Sequence, residues 1–209
     1  MLKLKYIENF LKEDDFNKLI SSHLVEVPKD SIKIFHNKID KNNNILENSF
    51  ETSFLKLLHK NYHQKAFDIL KELNLEKSKL YDYSDFSIVI TGKNYKFPIH
   101  DDTPNKLLSG VIYLYPKKNV GTIFYSTKKG DSKKVVDWKQ NLGIFFSRIE
   151  KETWHSYEGD NVSNRMALVY NLMTNRIKEV YKIENKSYIF GSIRWKLNPY
   201  LHRYFKKFI

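Results

Sequence analysis

The spacing of apolar residues changes period part-way along the chain. In residues 13–24 they recur at helical intervals, Phe16, Leu19, Ile20 and Leu24, behind an acidic first turn. In residues 52–73 a longer stripe of Phe54, Leu57, Leu58, Tyr62, Ala66, Ile69 and Leu70 predicts one long helix. Short strands are expected at 3–10 and 30–35, and residues 38–48, rich in Asn, Asp and Lys, are expected to form a polar loop. From Phe86 onward the period becomes two. The runs 86–91, 95–99, 107–115, 121–126, 142–147 and 166–172 are short, apolar or alternating, and parted by turn residues, which predicts a sandwich or barrel. The final stretch, 192–209, returns to helical spacing: Leu197, Leu201, Tyr204, Phe205 and Phe208 share a face, while Arg194, Lys196, Arg203, Lys206 and Lys207 carry charge without one acidic residue. This predicts an amphipathic helix docked on the body.

Composition narrows the classes. With 209 residues, 41% hydrophobic and 15% aromatic, the chain can bury a core and suits one domain with appendages. It has no cysteine, so disulfide scaffolds, thiolate zinc sites, iron–sulfur clusters and cysteine nucleophiles are excluded, and any metal must sit on His, Asp or Glu. The formal charge of +12 raises nucleic acid or membrane partners. Much of it lies in lysine pairs in expected turns, Lys117-Lys118, Lys128-Lys129 and Lys133-Lys134, and reads as solvated loops. The opening residues lack a signal-peptide apolar region and no run approaches the ~20 apolar residues of a membrane span, so the expectation is a soluble, cytoplasmic protein.

The chemistry concentrates in two places. In Phe97-Pro98-Ile99-His100-Asp101-Asp102 an extended backbone puts His100 and Asp102 on one face and Asp101 on the other. If a distant strand brings His155, in Trp154-His155, to that face, two imidazoles and one carboxylate form a facial triad that leaves places open on Fe(II). Arg165 follows ten residues after His155 and offers a rigid fork matching a carboxylate, the geometry of a dicarboxylate anchor. If Arg165 faces inward, so do Ala167, Val169 and Asn171, and Asn171 becomes a neutral amide able to orient a substrate or a water. His59 and His63, four apart on the long helix, have no Glu at the HExxH position and no third ligand, and are read as a solvated face; His23, His36 and His202 carry no assignment.

These residues resemble the Fe(II)- and 2-oxoglutarate-dependent dioxygenases, within them the prolyl 4-hydroxylase-like branch. The resemblance spans roughly residues 5–172, beginning at Tyr6-Ile7-Glu8-Asn9-Phe10-Leu11. It implies a mainly β fold with flanking helices around a double-stranded β-helix, a jelly-roll or cupin-like core, with 1–82 supporting, 83–175 catalytic and 176–209 an appendage. His100, Asp102 and His155 match the iron ligands, and Arg165 matches the residue that pairs with the distal carboxylate of 2-oxoglutarate. Tyr113, in Gly110-Val111-Ile112-Tyr113-Leu114, matches a tyrosine that hydrogen-bonds the same carboxylate. Gly121-Thr122-Ile123-Phe124-Tyr125 resembles a Gly-rich strand start, with Gly-Thr where relatives often carry Gly-Gly. Thr122, Tyr125 and Asn171 are therefore expected in the substrate pocket. The implied cofactors are Fe(II), 2-oxoglutarate and O2, and the implied reaction hydroxylates a peptide side chain or small metabolite with release of succinate and CO2. Two alternatives are a nucleic-acid-demethylating dioxygenase, which would use the basic surface, and a non-catalytic jelly-roll module that binds glycans.

Overall fold

The computed structural model describes residues 3–205. Strand β1 (Lys5–Ile7) leads into helix α1 (Glu13–His23), then strand β2 (Ile32–Phe35) and the hairpin β3 (Lys38–Asp40) and β4 (Ile45–Glu47). The long helix α2 (Thr52–Leu73) has the predicted bounds and is followed by the single turn α3 (Leu75–Ser78). Eight strands follow: β5 (Tyr83–Thr91), β6 (Lys96–His100), β7 (Lys106–Tyr115), β8 (Ile123–Tyr125), β9 (Lys134–Val135), β10 (Gly143–Phe146), β11 (Trp154–Glu158) and β12 (Arg165–Met173). Helices α4 (Ile177–Ile183) and α5 (Tyr188–Phe205) come last. No helix among the described residues is long and apolar enough to cross a membrane.

All described strand pairings are antiparallel. The major sheet runs β1-β10-β7-β12-β5-β3-β4 with β2 also on β5, and the minor sheet runs β6-β11-β8-β9. From β5 to β12 the chain passes back and forth between the two sheets, which makes the core a jelly roll. One face of the major sheet is apolar. Phe86, Ile88 and Ile90 of β5, with Met166, Leu168 and Leu172 of β12, pack under Leu55, Leu58, Tyr62, Ala66 and Leu70 of α2. Because side chains alternate, the opposite face is free to carry polar groups toward the minor sheet.

Three expectations are corrected. Residues 38–48 form a strand hairpin, not a loop: Ile39 is fully buried, and the Asp40 carboxylate accepts the backbone N–H groups of Asn42 and Asn44 to shape the turn. Strands of three residues holding one buried apolar side chain leave almost no periodic signal. His59 and His63 do not face solvent. His59 is 6% exposed, its Nδ1 lies 3.0 Å from Asn43 Oδ1, and its ring centroid is 4.7 Å from that of His63. Helix α5 docks through charge rather than its apolar face. Leu197 and Tyr204 are exposed, as are Ile189, Phe190, Ile193 and Tyr200, while Arg194 is buried against the body and Gly191 lies close against the ring of Tyr181. Lys206, Lys207 and Phe208 lie outside the described residues.

The histidine pair makes stability depend on pH. Burial, then repulsion from His63, lowers the pKa of His59 from 6.5 to about 4, and burial lowers His63 as well. A histidine held neutral in the fold stabilises it above its unfolded pKa, and as pH falls the unfolded chain takes up the proton first. Melting temperature is therefore expected to fall between pH 6.5 and about 4, and His59→Gln should make that slope shallower in thermal melts across the range.

Candidate functional site

The site begins with strand pairing. In the minor sheet β11 lies beside β6 with His155 opposite His100, so the two imidazoles stand side by side with ring centroids 4.2 Å apart. Asp102 follows as the chain leaves β6, with its Oδ2 4.0 Å from His155 Nε2. One donor atom from each of His100, Asp102 and His155 falls within 4.8 Å of the others. The structure thus brings together the three residues expected as ligands.

The orientation of each donor is set by its neighbours. His100 Nδ1 lies 3.0 Å from the Pro98 carbonyl oxygen and His155 Nδ1 lies 2.9 Å from that of Thr153. A carbonyl only accepts, so both rings carry their proton on Nδ1 and present the Nε2 lone pair. Desolvation and the neighbouring His155 lower the pKa of His100 to about 3, which keeps it neutral. Burial alone would raise Asp102, yet the Lys106 ammonium and the two imidazoles outweigh it and hold the carboxyl well below the usual range. Lys106 Nζ donates to Asp102 Oδ1 at 2.6 Å and the Ser109 hydroxyl donates to Oδ2. A neutral His100 and an ionised Asp102 are protonation states that a divalent metal requires of its ligands.

Arg165 is 5% exposed at the start of β12. Its guanidinium carbon lies 3.8 Å from the ring centroid of Tyr157, 5.3 Å from Trp138 and 5.6 Å from Tyr113. Its Nε has no hydrogen-bond partner, and it makes no ion pair among the described residues. Desolvation lowers its pKa, which marks a cation that lacks a counter-charge. Tyr113 is fully buried beneath it and stacks on Trp138, with centroids 4.1 Å apart. The Tyr113 hydroxyl donates to Thr122 Oγ1 and accepts the Thr122 N–H at 2.6 Å.

A cavity of about 340 Å³ contains both groups: His100, Asp102 and His155 line it together with Arg165, Thr122 and Asn171. Tyr125 is not brought into it. The side chain of Tyr125 turns away and its hydroxyl lies 2.9 Å from Ser156 Oγ. Several lining residues were missed in the sequence. Tyr157 stands two residues after His155, so the period-two rule that paired His100 with Asp102 points to it as well; Lys106 and Ser109 carry no such signal, because their role depends on where β7 runs.

Behind the His-x-Asp corner lies a buried ionic cluster. Arg148, fully buried, donates from Nε to the Asp102 carbonyl at 3.0 Å and from Nη1 to Glu184 at 2.7 Å. Lys77 reaches Glu184 Oε1 at 2.6 Å. Asp101, on the opposite face from His100 and Asp102, receives both terminal nitrogens of Arg194 and the N–H of Lys151, and Arg194 also reaches Glu150 at 3.3 Å. The corner that carries two metal donors is clamped from behind by a helix outside the jelly roll.

No family model and no curated protein matches the sequence. Solved structures do. An oxidoreductase of the 2OG-Fe(II) oxygenase family from Burkholderia pseudomallei superposes with a TM-score of 0.59 at 15% identity, over 83% of this chain and 87% of that one. A prolyl-4-hydroxylase from Pseudomonas putida gives 0.54 at 12% over 84% and 94%. A prolyl hydroxylase from Trichoplax adhaerens, solved with a hypoxia inducible factor peptide fragment, gives 0.54 at 13% over 85% and 86%. The chain has the fold of the 2OG-Fe(II) oxygenases.

The clamp is testable by stability alone. Arg194→Ala leaves Asp101 and Glu150 buried without their shared cation, which is expected to cost about 3–5 kcal/mol in urea denaturation, with Arg194→Lys costing less.

Proposed function

We propose that this protein is an Fe(II)- and 2-oxoglutarate-dependent oxygenase that hydroxylates a C–H bond of a peptide side chain or small molecule, with succinate and CO2 as co-products. The observation that carries the proposal is the buried guanidinium of Arg165, without an ion-pair partner among the described residues, in the same cavity as the three candidate metal donors. A buried cation without a counter-ion is expensive for the fold, so its presence points to an anionic ligand. A dicarboxylate supplies one.

His100 Nε2, His155 Nε2 and an oxygen of Asp102 would hold the metal, whose chemistry when bound is the activation of O2 against 2-oxoglutarate. Lys106 and Ser109 keep Asp102 ionised and in place. Arg165, close against Tyr157, would take the distal carboxylate through a charge-assisted pair, and Tyr113 would act there through the Thr122 hydroxyl it fixes. The lining mixes apolar side chains such as Val111, Val169 and Phe146 with these polar groups and keeps bulk water from the reacting atoms. The hydroxylase names of two structural neighbours favour hydroxylation as the outcome. A glycan-binding module would have no use for this arrangement.

Succinate release from 2-oxoglutarate, measured with and without Fe(II), tests the reading. His100→Ala, Asp102→Ala and His155→Ala should each abolish it and weaken Fe(II) binding while leaving the circular dichroism spectrum intact; undiminished turnover in all three would end the assignment. Arg165→Ala should raise the apparent KM for 2-oxoglutarate by the equivalent of about 2–5 kcal/mol, the loss expected for one partner of a desolvated charge pair. Tyr113→Phe should cost less, about 0.5–3 kcal/mol. The reverse order would place the distal carboxylate elsewhere.

A further inference from the structure

The end of the cavity away from Arg165 is built differently. Arg165 and Asn171 are six residues apart on β12, about 20 Å at strand rise, and face the same side. Around Asn171 the sheet register assembles a polar row: Ser109 of β7 lies opposite Asn171, and Asp85 of β5 lies opposite it on the other side. Ser87, two residues on from Asp85, faces the same way, and His36 reaches it from the end of β2.

The direction of each hydrogen bond in this row can be worked out. The Ser87 hydroxyl lies 2.6 Å from Asp85 Oδ1 and donates to it, since a carboxylate only accepts. That hydroxyl has no second proton, so at 3.2 Å His36 Nδ1 must be the donor to Ser87, and in the neutral ring this tautomer makes Nε2 the acceptor. Asp85 makes no ion pair among the described residues, because Lys38, opposite it in the sheet, gives its ammonium to Glu47. Asn171 is 1% exposed and its Oδ1 has no hydrogen-bond partner. Asp85 receives only the Ser87 hydroxyl and Asn171 Oδ1 receives nothing, so a carboxylate charge and an amide acceptor face this end of the cavity, beside the Asn171 amino group as a donor. Ser109 ties the row to Asp102, and from the row toward Arg165 the lining is aliphatic, Ile34, Val89 and Val169.

We infer that the Asp85, Asn171 and His36 end of the cavity is a subsite for an alkyl-ammonium or guanidinium group, so that the prime substrate is a cationic side chain or amino acid whose aliphatic stem crosses Val89 and Val169. The carboxylate supplies the charge, the amide oxygen and imidazole nitrogen take further N–H groups, and the aliphatic strip accepts the stem, as charged groups on long side chains require. The inference rests on the oxygenase reading for the reaction performed, but not for the binding itself.

Calorimetric titration of the full chain with shape-matched pairs that differ in side-chain charge tests it: L-arginine against L-citrulline, and L-lysine against L-norleucine. The titrations are done anaerobically with Fe(II) and 2-oxoglutarate present, and repeated without them. The cationic member of each pair should bind tighter by roughly tenfold or more, and Asp85→Asn, nearly isosteric, should remove that preference without lowering the melting temperature. Comparison of free L-lysine with Nα-acetyl-L-lysine methylamide then assigns the group to an amino acid or to a peptide side chain. Equal binding of the neutral partners, no binding of any probe, or an unchanged preference in Asp85→Asn would overturn the subsite. Succinate release is scored separately: a chain that binds the cations but forms no succinate loses the oxygenase reading and keeps the subsite, and a chain that forms succinate without charge preference does the opposite.

Discussion

The pairing of β11 with β6 in one register, His155 opposite His100, is the constraint on which the site depends. A slip of one residue would turn His155 to the outer face of the minor sheet and leave two donors where three are needed. The sheet alone does not secure it, since the pairing already shifts register between His155 and Tyr157. The cluster behind the corner adds a tie between the strand ends, where the Lys151 N–H, just before β11, donates to Asp101, just after β6. Arg148 holds the backbone carbonyl of Asp102, Arg194 holds the side chain of Asp101, and Lys77 and Glu184 complete the charges. Residue 101 points away from the metal donors and is still part of what positions them.

Buried ionic clusters are poor stabilisers compared with apolar packing, because each charge must be taken out of water. Their value here is geometric. An apolar plug behind the corner would tolerate several packings, whereas a bidentate Arg194–Asp101 contact and a single Arg148–Asp102 hydrogen bond admit few. It also explains why α5 sits where it does with much of its apolar surface in solvent: the helix is held at Arg194 and Gly191, and those two contacts fix its axis without burying Ile193, Leu197 or Tyr204. Amphipathic spacing predicts the helix, but of its expected docking face Leu197 and Tyr204 are exposed and Leu201 is half-buried, while the buried Arg194 meets acidic partners in the body.

The legible parts of the sequence were those governed by local rules. The long α2 carried a continuous apolar stripe, and the strands of the jelly roll carried period two, so both could be read directly. His100 and Asp102 followed from alternation within one strand, while the placing of His155 and Arg165 beside them rested on a family resemblance, because nothing local tells which strands become neighbours. The β3–β4 hairpin was missed since Ile39 alone marks its buried side. The buried His59–His63 pair was misread because helix spacing shows that two side chains share a face but not whether that face is wet. Tyr125 is not among the cavity lining, and neither is its neighbour Phe124: of this segment only Thr122 reaches the cavity, and the Tyr125 hydroxyl lies against Ser156 instead.

The same alternation explains how one strand serves two kinds of chemistry. β12 is nine residues long, and its pocket-facing residues run from a guanidinium at one end, through Ala167 and Val169, to an amide at the other. The two ends are too far apart to share partners: Arg165 lies among Tyr157, Trp138 and Tyr113, while Asn171 lies between Ser109 and Asp85. Substitutions at sites this far separated act nearly independently. The Arg165 end can therefore stay fixed while the Asn171 end changes with β5 and β2, neither of which supplies a metal donor. Specificity for the second molecule is expected to reside in β5 and in His36 just past β2, where period two marks the strands but not which of their polar residues line the cavity.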